Sequence, residues 1–145
     1  MAEHDPFNEP ETAHPRAREL MAEPLFWDCV DESTPFGSDE GSDAYYEWRC
    51  WRDENPSASL TDCFDWILNG QLSDYSLAYE SENWDSFTLD ATIIATGLGQ
   101  LMDEGTIDVN AKPLLEIAIQ RQRFPGAGQF DSLALDAIER VVRVA

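Results

Sequence analysis

Apolar side chains recur every third or fourth residue along most of this chain, and no stretch of useful length alternates apolar with polar residues. Spacing near 3.6 is that of a helix buried on one face, whereas a half-buried strand needs a period of two. The chain is therefore expected to be all-α. Prolines and glycines cut the pattern into short pieces, which predicts a compact single-domain bundle of six or seven short-to-medium helices over residues 13–145. A length of 145 residues suits one domain, and 7 Phe, 5 Trp and 4 Tyr supply a sizeable core.

Residues 1–12, with Pro6 and Pro10, read as a flexible N-terminal arm. Pro15 fits a first helical turn and opens a short helix to Ala22. Pro24 restarts a second, Leu25 to about Asp31. Glu32 to Asp43 is the main loop, and Ser38 or Ser42 can cap the helix that follows, about Asp43 to Asp53. In that helix Ala44, Trp48 and Trp51 fall at i, i+4 and i+7 and form one apolar stripe. Ser57 or Ser59 starts a further helix with Leu60, Phe64 and Ile67 in register, closed at Asn69-Gly70. Residues 71–85 admit either a short helix or an extended loop.

Ser86 to Glu104 is the longest expected helix, with Phe87, Ala91, Ile94, Leu98 and Leu101 at helical spacing and Gly105 closing it. Gly97 and Gly99 each cost such a helix about 1 kcal/mol relative to Ala. Their presence predicts the close approach of another helix. Asp108 or Asn110 is expected to cap the next helix, which carries Pro113 in its first turn and runs to Arg123 before Phe124-Pro125-Gly126. Asp131 caps a last helix in which Leu133, Ala137, Val141 and Val144 form a stripe.

Charge divides the chain unevenly. Lys and Arg number 9 against 29 Asp and Glu, a net charge of −20. Residues 1–110 hold 25 acids against 4 bases, while residues 111–145 hold 4 acids against 5 bases. A surface this negative excludes non-specific binding to a nucleic-acid backbone, which needs cations to displace counterions. It equally disfavours an anionic membrane surface. The longest uncharged apolar-rich stretch, Ala91 to Met102, is 12 residues, against about 20 for a membrane helix. Met1-Ala2-Glu3-His4-Asp5-Pro6 has neither the basic start nor the apolar stretch of a secretory signal, so a cytoplasmic location is expected. Cys29, Cys50 and Cys63 are odd in number, lack a C-x-x-C pair and stand near aromatic residues. They are expected to be small core residues in a reducing compartment.

Three segments carry a family resemblance. They are Ala13 to Met21 (AHPRAREL and its following Met), Phe26-Trp27-Asp28 through PFGSDEG at 35–41, and Leu89-Asp90 through the run ATGLGQLMDEGTID at 95–108. Together they resemble the YfeS-like family of small uncharacterised bacterial proteins, over roughly residues 13–123. Relatives are sometimes labelled after MolR, a molybdate regulator. That label travels with a Trp-Gly-Arg domain, and this chain has no Trp-Gly-Arg tripeptide. The resemblance implies a family and supplies no catalytic residues.

Asp39, Glu40 and Asp43 stand in the glycine-bounded loop, with Glu47 one turn beyond Asp43. At a helix N-terminus such acids complement the dipole. Beside an exposed aromatic they also form a grip for an Arg- or Lys-bearing protein. The spacing does not match a Ca²⁺-binding EF-hand loop. His14, with Glu19 and Asp28 nearby in sequence, reads either as a cap or as a general base, and no nucleophile elbow accompanies it. The three Cys and two His lack zinc spacing. No catalytic residue, metal ligand or cofactor is assigned.

The favoured expectation is a non-enzymatic acidic protein that binds a basic partner protein through Asp39, Glu40, Asp43, Glu47 and Trp48. An immunity-type inhibitor of a toxin is one such protein. The alternatives are a metal-assisted enzyme or cation binder using the carboxylate-rich loop, and a nucleic-acid mimic or regulator with acids spaced like phosphates.

Overall fold

The structure, a computed structural model, describes residues 6–68, 70, 86–123 and 130–145. Among them are six α-helices and no strand: α1 (Pro15–Leu20), α2 (Asp39–Glu54), α3 (Leu60–Ile67), α4 (Ser86–Glu104), α5 (Lys112–Gln122) and α6 (Ser132–Val144). Single 3₁₀ turns at Pro10–Thr12, Pro24–Trp27 and Val109–Ala111 join them. The described residues form an all-α bundle.

α4 is the axis. A helix that is apolar all round must be covered on every side. From Ile93 to Met102 every residue of α4 is buried, and α1, α2, α3 and α5 all pack against it. Gly97 and Gly99 permit this. A Cβ on Gly97 would lie 2.7 Å from the Leu115 side chain of α5, and one on Gly99 would lie 2.8 Å from the Tyr45 ring of α2. The two glycines let helices on two sides of α4 come within contact distance, as their position in the sequence predicts. Gly105 ends α4 with φ +77, a conformation open to glycine at little cost.

Three expected boundaries move. The helix expected over Leu25–Asp31 is only the turn Pro24–Trp27, because the Asp28 carboxylate accepts the amides of Val30 at 2.8 Å and Asp31 at 3.0 Å. That local bonding competes with helical bonding. The main loop ends earlier than expected: Ser38 accepts the Gly41 amide and α2 starts at Asp39. Asp39, Glu40 and Asp43 are therefore helical residues. Asp108 caps nothing ahead of it. Its carboxylate accepts the Leu60 amide at the start of α3 (2.7 Å) and the Gln100 side-chain amide (3.0 Å).

The stripe expected on α6 is shifted in phase. Leu133 and Val144 are exposed, and the buried face is Ala134, Leu135, Ala137, Ile138, Val141 and Val142. Two overlapping apolar stripes run along this helix, and packing against α5 selects one. Asp131 does cap it, accepting the Ala134 amide at 2.8 Å. Of the expected N-terminal arm, residues 1–5 lie outside the described residues. Pro6 is buried, and the Phe7 ring lies 5.4 Å from Phe36 and 6.0 Å from Tyr45, centroid to centroid. This apolar contact seats Pro6 and Phe7 on the body, while Asn8 to Glu11 are exposed. The stretch 71–85 and Phe124-Pro125-Gly126 lie outside the described residues.

Candidate functional site

α2 has a buried face and an acidic face, and Ala44 lies where the two meet. The inward face is Ala44, Tyr45, Trp48 and Trp51, all buried against the core. Buried aromatic polar groups need partners, and α4 provides one carboxylate for two of them. The Tyr45 hydroxyl donates to Asp103 at 2.7 Å and the Trp48 indole N–H donates to the same carboxylate at 3.1 Å. Arg49 lies 4.0 Å from Asp103, with its guanidinium 5.5 Å from the Tyr45 ring centroid. Arg52 donates to both oxygens of Glu104 (2.6 and 2.9 Å) and to the carbonyls of Asn55 and Ala58. Its guanidinium sits 5.0 Å from the Trp48 ring centroid. Bidentate pairing with Glu104 raises the Arg52 pKa, so this cation stays charged throughout the accessible range.

The outward face is different. Asp39, Glu40, Asp43 and Glu47, together with Ala44, line a cleft of about 460 Å³. Trp66 and Ile67 of α3 and Thr88 and Thr92 of α4 complete its lining. Asp39, Asp43 and Glu47 recur every fourth residue, so they follow one another along one helix face at about 6 Å per step. None of the four carboxylates makes an ion pair with a described residue. Trp66 is 47% exposed beside them.

Four of the five residues expected to bind a partner thus share one cleft. The fifth does not. Trp48 is fully buried, with its indole nitrogen occupied by Asp103, and cannot meet a partner. Helical geometry accounts for the correction: Trp48 follows Glu47 by one residue, which turns it about 100° away and onto the buried stripe with Ala44 and Trp51. The aromatic of the cleft is Trp66, which sequence reasoning passed over. Its signal was its position off the Leu60, Phe64, Ile67 stripe, which leaves a large apolar ring on the outer side of α3.

The other candidates resolve into structural roles. His14 Nδ1 accepts the Arg16 amide at 3.1 Å and caps α1. Arg16 in turn donates to the carbonyls of Gly105, Val144 and Ala145. Only one cysteine is core: Cys63 is buried, Cys50 half-buried and Cys29 exposed. Burial pushes the Cys63 thiol up to about 12. Cys29 stands in the polar stretch where the expected second helix gives way to side-chain turns. Among the described residues no three His, Cys, Asp or Glu side chains converge to hold a metal ion. Among those residues, too, no helix is long and apolar enough to cross a membrane.

No family model, curated protein or solved structure matches this chain.

Proposed function

We propose that this is a non-enzymatic binding protein that takes a cationic side chain, Arg or Lys, of a basic partner protein into the cleft between α2, α3 and α4. One observation carries the reading: Asp39, Glu40, Asp43 and Glu47 line a single cleft in which no described residue supplies them a cation, beside a half-exposed tryptophan. The molecule uses the same chemistry on its own arginines. Arg52 is held by a carboxylate with Trp48 close by, and Arg49 by a carboxylate with Tyr45 close by. A carboxylate together with an aromatic ring is a favourable setting for a guanidinium. The cleft offers carboxylates and Trp66 to a guanidinium or ammonium from outside.

The net charge of −20 extends this preference over distance, since a negative field speeds the encounter with a basic protein. An immunity-type inhibitor acting on a basic toxin in the cytoplasm is the form of partner binding that this chemistry suits. Kinship with the YfeS-like family is part of the proposal, and it rests on the three segments that carry the resemblance.

The test is calorimetric titration with an Arg-rich peptide and a Glu-rich peptide of equal length, at 20 mM and 500 mM salt. The Arg-rich peptide should bind at low salt, weaken at high salt, and lose about tenfold in affinity with Asp43→Asn/Glu47→Gln, a change of about 1.4 kcal/mol. Equal binding of both peptides, or binding indifferent to the double substitution, would refute the reading.

A further inference from the structure

We draw no further inference here: the strongest candidate, the acid-lined cleft between α2, α3 and α4 with Trp66 at its side, belongs to the site already described, and nothing in the structure shows which particular ligand would fill it.

Discussion

The outward face of α2 and the α5–α6 pair treat charge in opposite ways. Around α5 and α6 acids and bases are matched, between the two helices and, for Arg143 with Glu139, one turn apart on α6. Arg123 meets Asp136 at 2.9 Å and Glu139 at 3.2 Å, Arg143 meets Glu116 at 3.3 Å and Glu139 at 3.2 Å, and Gln120 adds a bond to Glu139 at 2.6 Å. Arg140 reaches back to Glu23. Deeper in, Arg121 of α5 pairs with the buried Asp90 of α4 at 3.2 Å. On the outward face of α2 four carboxylates stand without such partners among the described residues. Ion pairs near a surface contribute little individually, typically up to about 1 kcal/mol. The matched region therefore spends its charge on orienting helices, and the unmatched region leaves its charge available to another molecule. A chain-wide figure of −20 hides this division.

If α2 is core on one side and binding surface on the other, removing an inner side chain should cost folding and removing outer charge should not. Trp48→Ala is expected to lose about 3–5 kcal/mol in urea unfolding, from the cavity and the lost aromatic contacts. A loss below 1 kcal/mol would mean that the inner face of α2 is not core.

Neutralising the outer face sharpens the contrast. Asp43→Asn/Glu47→Gln should leave unfolding free energy within about 0.5 kcal/mol of the parent while weakening the Arg-rich peptide about tenfold. The matching control lies across the molecule. Asp136→Asn/Glu139→Gln should cost about 1 kcal/mol of stability, through Arg123 and Arg143, and leave peptide affinity within twofold. If both pairs of substitutions weakened binding alike, the carboxylates would act as a diffuse field and not as a site.

Two smaller effects concern the helix end and the thiols. Asp131→Ala should lose about 1 kcal/mol by removing the cap of α6. The cysteines should separate in a thiol-labelling time course: Cys29 reacts in the native protein, and Cys63 reacts only when the fold opens. The pH dependence follows the same burial. The folded Cys63 thiol titrates near 12, above its ordinary value of 9.0, so folding favours the protonated form. Its contribution is fully present below pH 9 and is lost as pH rises toward 12. A Cys63→Ala variant should show a flatter decline in stability over that interval.

Much of the fold was legible because it depends on local rules. Pro15 marks α1 and the period of apolar residues marks α2 to α6, although the helix expected over Leu25–Asp31 is only a turn; Ser59 and Asp131 cap α3 and α6 as their positions suggest, and Gly97 with Gly99 marks the close helix contacts. The site was legible in part. Asp39, Glu40, Asp43 and Glu47 stand out in the sequence as acids in and just after a glycine-bounded loop, and the fourfold spacing of Asp39, Asp43 and Glu47 acquires meaning once α2 is known to begin at Asp39. Trp48 does not belong with the acids, because its spacing sets it on the apolar stripe of Ala44 and Trp51, and that stripe is the buried side of α2.

The sequence by itself determined the all-α class, the central apolar helix and the uneven distribution of charge, since each is set by residue type and spacing along the chain. The tertiary structure alone decided which acids are consumed. Asp103, Glu104 and Asp108 lie in the acidic part of the chain yet are bound by Tyr45, Trp48, Arg52, Gln100 and Leu60. Asp39, Asp43 and Glu47 have the same chemistry and make no ion pair with a described residue. The physical reason is distance. Hydrogen bonds and ion pairs act over a few ångströms, and Asp103 and Glu104 come that close to Tyr45, Trp48 and Arg52 only when α2 packs on α4.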